Sequence, residues 1–259
     1  MKNIILFLLG LILVSCSNND DDGGSSVDFH PNSEGTYWIY EVMANKSGTD
    51  SLFVTGSRQV DGSTYAQFDA REPFYGLYTL FAKENLLKSE SGRIYVRGEL
   101  SAFGDAFPEL SIPLDDLLIL DPSASPGSQL DITEQEITIP YEAASLTGFA
   151  TVRSEMLGTT ATLELNGISY TNIRSSVITV TASAAVTGEL DGVPITIPVL
   201  GEQEILRMEL SFAEDTGLVY SEAILSYELS NTQLLDLPIA NTYREEIIQT
   251  LLRTGSSGE

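Results

Sequence analysis

From about residue 35 onward, apolar and polar side chains alternate with a period of two. Trp38, Tyr40 and Val42 share one face of the segment 37–42. Ile94, Val96 and Leu100 oppose Arg93, Arg97 and Glu99. Ile178, Val180, Ala182, Ala184 and Val186 alternate with Thr179, Thr181 and Ser183. Leu206, Met208, Leu210 and Phe212 alternate with Arg207, Glu209 and Ser211, and the same rhythm runs through Val219, Ala223, Leu225, Tyr227 and Leu229. One-sided alternation of this kind predicts strands of an antiparallel sheet with one wet face. Between the strands stand Asp61-Gly62, Ser91-Gly92, Asn166-Gly167 and Asp191-Gly192. Asp-Gly and Asn-Gly suit the positive-φ positions of tight hairpin turns, so the strands form a hairpin meander.

Two stretches break the rhythm. Residues 107–129 contain Pro108, Pro113, Pro122 and Pro126 around Asp115-Asp116-Leu117-Leu118-Ile119-Leu120-Asp121. Prolines at this density interrupt ladders, which predicts a connection between two sheet halves with a helical turn at 115–120. At the end, Thr242 and Glu245 have capping-box spacing. Tyr243, Ile247, Ile248, Leu251 and Leu252 then fall on one helical stripe ahead of Gly255. This predicts a C-terminal helix over about 242–253 that covers an apolar face of the sheet. The expected class is mainly β, with a single β domain over 35–259; a split into two sandwich halves is the alternative.

The N-terminus is different in kind. Lys2 precedes an uninterrupted run of apolar or glycine residues over 4–14. That run is shorter than the ~20 residues a membrane span needs. Leu13-Val14-Ser15-Cys16 resembles the lipobox of bacterial lipoproteins. The resemblance implies a signal peptide over residues 1–15 and lipidation of Cys16, which would hold the protein on a membrane through two or more acyl chains. Residues 16–34 then read as the lipidated cysteine and a flexible acidic tether, since 17–26 carry no apolar residue. An Asn/Asp-rich run straight after the cysteine resembles the surface-export signals of Bacteroidota lipoproteins. It implies an outer-membrane address, at the cell surface or, as the alternative, facing the periplasm.

Composition narrows the chemistry. A formal net charge of −24 repels nucleic acid and anionic lipid and favours cationic or neutral partners. A 42% hydrophobic content is enough for a packed core. The single cysteine is consumed by the lipobox, and the single histidine, His30, falls in the expected tether. Serine and cysteine triads and ordinary zinc sites therefore lack their parts. No cofactor or metal motif is present: no EF-hand loop occurs, and no glycine-rich loop opens a helix. Carboxylates remain, with Asp115, Asp116 and Asp121 the densest set. Aromatics also remain, with Tyr37, Trp38 and Tyr40 on the first strand and Phe74, Tyr75, Tyr78 and Phe81 crowding another. Aromatics serve either a β core or a sugar-binding face. Asp50-Ser51-Leu52 resembles a short Bacteroidota O-glycosylation acceptor.

Several longer motifs share one resemblance. Gly35-Thr36-Tyr37-Trp38-Ile39-Tyr40, then Asp61-Gly62 with Tyr65, resembles the opening of a group of uncharacterised Bacteroidota secreted lipoproteins with a Gly-x-x-Trp-x-Tyr start. Asn166-Gly167-Ile168-Ser169-Tyr170-Thr171-Asn172 and Gly217-Leu218-Val219 match later segments of that group. The resemblance implies a lipoprotein-carrier-like fold: a strongly curved antiparallel sheet, a half-barrel or open barrel, around an apolar concavity. It carries no active site. The function expected is that of a lipid-anchored cell-envelope protein without assigned catalysis, binding an apolar ligand, a glycan or an envelope partner. That reading expects a lined apolar cavity with the C-terminal helix across its mouth. A surface adhesion or assembly β-sandwich would show two flat sheets. A carboxylate-based glycan hydrolase would show two acids in one groove, roughly 5–10 Å apart.

Overall fold

The computed structural model describes residues 27–101, 111–141, 144–190, 193–234 and 240–256. Cys16, the apolar lead before it, the run 17–26 and the Asp191-Gly192 turn lie outside the described residues. In chain order the strands are β1 (Thr36–Met43), β2 (Gly48–Val60) and β3 (Ser63–Ala70), then helix α1 (Leu77–Glu84). There follow β4 (Leu86–Glu90), β5 (Arg93–Leu100), β6 (Ile112–Leu120), β7 (Gln129–Tyr141), β8 (Ala144–Leu165) and β9 (Ile168–Leu190). The last three are β10 (Val193–Ala213), β11 (Gly217–Glu228) and β12 (Thr242–Ser256).

All twelve strands belong to one antiparallel sheet, in the order β6-β5-β4-β3-β2-β1-β12-β11-β10-β9-β8-β7. Each strand pairs with its chain neighbour, except that β1 closes onto β12. The two sheet edges, β6 and β7, are consecutive in the chain and face each other. Side chains bridge them where a backbone ladder is missing. Leu118 donates its N–H to Asp131 Oδ2 at 3.1 Å, and the Ser154 hydroxyl donates to the Leu118 carbonyl at 2.6 Å. The result is a nearly closed barrel of a single curved sheet, which overturns the two-sheet sandwich. Inward positions are mostly apolar and outward ones largely polar. That polarity is the reverse of a membrane barrel, whose wall is apolar outside.

The meander fixes two ends. The chain enters β1 at what we call the tether end, where the turns after β2, β4, β6, β8 and β10 also lie. Helix α1, the turn after β1 and the last described residues of β5, β7, β9 and β11 lie at the opposite, helix end. Three predicted hairpins are present with the expected backbone: Asp61 and Gly62 have φ of 50° and 82°, Ser91 and Gly92 54° and 78°, Asn166 and Gly167 52° and 78°. These left-handed pairs match the right-handed twist of the flanking strands.

Four expectations are corrected. The C-terminal segment 242–253 is not a helix but strand β12, held between β1 and β11. Its inward positions are Glu245, Ile247, Gln249 and Leu251. The polar Gln249 hides the period of two, while Ile247, Ile248, Leu251 and Leu252 also fit a helical stripe. Closing the barrel decides between the two readings, since tertiary pairing overrides weak propensity. Second, residues 115–120 are not a helical turn but part of β6. Asp116, with φ of 56°, takes up an irregularity in its pairing with β5. Third, the tether does not run to residue 34, because Phe29 and His30 are buried in the barrel. Fourth, Tyr78 and Phe81 stand on α1 and not on a strand.

Candidate functional site

The barrel axis is where the chain concentrates its largest side chains. Trp38 and Tyr40 from β1, Phe68 from β3 and Phe212 from β10 all point inward and are buried. Two further groups enter along the axis, one from each end.

From the tether end comes the segment 27–30. The Asp28 carbonyl accepts the N–H of Asp215 at 2.7 Å, in the turn after β10. The Asp28 carboxylate accepts the Ser89 hydroxyl from β4 and the backbone N–H of His30, both at 2.9 Å. Pinned in this way, Phe29 and His30 drop into the interior, at 1% and 2% exposure. The Arg174 guanidinium lies 5.8 Å from the Phe29 ring centre, a cation over a π face. From the helix end comes α1. Its N-terminal N–H groups have no partner within the helix, so the wall supplies them. The buried Asp50 on β2 accepts the N–H of Tyr75 through one carboxylate oxygen and that of Gly76 through the other, both at 2.8 Å. Gln249 on β12 accepts the Tyr78 N–H at 2.7 Å and donates to the Thr79 hydroxyl at 3.0 Å. The fit is tight: a Cβ at Gly76 would fall 2.0 Å from the Gln249 side chain.

The two plugs meet on the axis, where His30 Nε2 and the Tyr78 hydroxyl are 2.7 Å apart. The His30 ring packs 5.5 Å from Trp38, edge-on to Phe68 at 5.3 Å and 6.3 Å from Phe212. Burial pushes the His30 imidazole down to about 4, against a weaker upward pull from Asp28. Burial likewise raises the Tyr78 phenol above its ordinary range. A neutral imidazole enclosed by three rings and a phenol suits packing.

Among the described residues, Phe29, His30 and α1 occupy the middle of the barrel. Between α1, β5 and β10, Leu77, Phe81, Leu100, Leu206 and Met208 line a small pocket with room for roughly one water molecule. The carboxylates sort differently from expectation. Asp115 and Asp116 come together with Asp61 around Arg97: Nη1 is 2.5 Å from Asp61, Nη2 bonds Asp115, and Nε is 3.5 Å from Asp116. The Tyr65 hydroxyl donates to Asp116 at 2.5 Å. Asp121 stands apart, paired with Arg93 at 2.9 Å and accepting from Ser123. Asp50 of the Asp50-Ser51-Leu52 motif is consumed in holding α1. Among the described residues, no group of three or more His, Cys, Asp or Glu side chains could hold a metal ion, and no helix is long and apolar enough to cross a membrane.

No family model and no curated protein matches this chain. Solved structures with a related chain course include a provisionally named lipoprotein from Parabacteroides distasonis, at 11% identity and a TM-score of 0.43, covering 88% of this chain and 99% of that one. Another is a provisionally named exported protein with a YmcC-like fold from Bacteroides fragilis, at 10% identity and a TM-score of 0.40, covering 89% of this chain and all of that one. Likenesses this distant assign neither family nor function.

Sequence reasoning placed Trp38 and Tyr40 correctly among core candidates but missed His30, Asp50 and Gln249. His30 follows a polar run and reads as its continuation. The one available signal was Phe29 beside it, since Val27 and Phe29 are the first apolar residues after that run.

Proposed function

We propose that this chain is a lipid-anchored, non-enzymatic protein of the bacterial cell envelope. It presents the outside of a stoppered β barrel to a glycan or an envelope partner and does not carry an apolar molecule within. The observation that carries the reading is the meeting of His30 and Tyr78 on the barrel axis. The space a carried lipid would occupy is taken by Phe29, His30 and α1, and both plugs are tied to the wall by buried hydrogen bonds. The Leu13-Val14-Ser15-Cys16 motif supports the anchor, and the net charge of −24 supports a cationic or neutral partner over nucleic acid. For a glycan hydrolase, the acids expected from the sequence, Asp115 and Asp116, gather with Asp61 around Arg97. They share one guanidinium, which favours a structural ion cluster over an acid and base pair.

Two measurements test the parts separately. Lipophilic naphthylamine dye added to the purified protein should show no saturable rise in fluorescence; saturable binding would restore the carrier reading. Cells expressing the chain should incorporate labelled palmitate into it, and Cys16→Ala should abolish that label. Labelling that persists in the variant would remove the anchor.

A further inference from the structure

We infer that the latch at residues 27–30 sets the polarity of the barrel on its membrane, with the tether end against the lipid headgroups and the helix end carried away from them. The inference rests on the anchoring of Cys16 proposed above and adds to it a surface and a direction.

The argument is one of reach. Val27 does not leave the barrel at an arbitrary point. Its carbonyl sits against Gly92 in the turn after β4, where an added Cβ would meet it at 3.1 Å. The next residue is fixed to Asp215 and Ser89. The tether therefore starts from the rim formed by the turns after β4 and β10. Eleven peptide steps separate Cys16 from Val27, a contour of at most about 40 Å. The barrel itself is of the same order. β12 runs 15 residues from one end to the other, on the order of 40 Å once strand tilt is allowed for. The helix end thus stands about one tether length beyond the tether end. Without the latch, the free chain would extend to Gly35 and the barrel could roll.

Asp61, Glu90, Glu164 and Asp215 are exposed on the tether end, so the polarity is tested on zwitterionic lipid, which does not repel them. At the other end, β8, β9 and β10, of 22, 23 and 21 residues, run past the barrel mouth together with β7. This four-stranded arm is what the polarity presents outward.

The test uses lipidated full-length protein in vesicles of phosphatidylethanolamine and phosphatidylcholine that contain a headgroup spin-labelled lipid. Bimane is attached to Ile168→Cys, at the tip of the β8–β9 hairpin on the tether end, or to Val193→Cys, on the arm. Both positions are exposed, at 43% and 60%. The expected result is loss of bimane fluorescence at 168 and none at 193. Equal loss at both sites, or greater loss at 193, overturns the polarity. In the Asp28→Ala/Ser89→Ala variant the contrast should shrink while far-UV circular dichroism is unchanged; a folded variant that keeps full contrast overturns the latch as its cause. Wild-type protein without palmitate would remove the anchor and this inference together. Palmitoylated protein quenched at 193 would remove the inference alone.

Discussion

His30 is buried without charge beside Tyr78, and that has a sign. Its folded-state value of about 4 lies below the ordinary 6.5, so the folded protein binds the proton less readily than the unfolded chain. The stability tied to a neutral imidazole is complete above about pH 6.5 and is lost as pH falls toward 4. Over that window the loss is about 3 kcal/mol. Thermal melts between pH 7 and 4 should therefore fall more steeply in the wild type than in His30→Gln; parallel slopes would contradict the burial of a neutral His30. Asp50 makes a second residue-scale prediction. Asp50→Ala leaves the N–H groups of Tyr75 and Gly76 buried without an acceptor and should cost about 2–4 kcal/mol in denaturant unfolding. A loss below about 0.5 kcal/mol would mean that water replaces the carboxylate. Both residues escaped the sequence reading for one physical reason. Each is polar at a buried position, and each is satisfied by a partner 48 or about 25 residues away that no local pattern announces.

Among the elements, β12 is the one whose type the sequence misstated and whose role is largest, because it joins β1 to β11 and closes the sheet. Leu251 is fully buried on it, and Leu251→Ala should cost about 2–5 kcal/mol. In hydrogen exchange the amides of residues 248–253 should be protected as well as those of the β9–β10 ladder; early exchange there would mean that the barrel opens at this seam. What was legible locally was the alternation of β1, β5, β9, β10 and β11, and the three described Asp-Gly, Ser-Gly and Asn-Gly turns. Those features depend on neighbouring residues alone. The identity of β12 was not legible, because its inward Gln249 is there to hold α1, and α1 is placed by contacts across the barrel. The same holds for β6. Its prolines and acids read as a loop, yet Pro113 pairs opposite Glu99 and the Asp116 irregularity absorbs the mismatch.

For the whole molecule, a meander that closes on itself leaves one seam, two ends and an axis. At the seam between β6 and β7, Leu118 of β6 is held by Asp131 on β7 and by Ser154 on β8. The arm beyond it carries Pro140 on β7 and Pro194 on β10, residues that cannot donate to an added strand. Among the described residues, Phe29 and His30 from one end and α1 from the other meet on the axis, and the proposal of a stoppered barrel rests on that contact. The curvature implied by the lipoprotein-carrier-like resemblance is present in the twelve-stranded sheet. The most direct test is native mass spectrometry of the purified protein, followed by lipid extraction of the same sample. A single species at the mass of the polypeptide with its anchor, and an extract containing no other lipid, is the expected result. A stoichiometric co-purified molecule that survives in the Cys16→Ala chain would mean that the interior opens, and it would contradict the stoppered barrel.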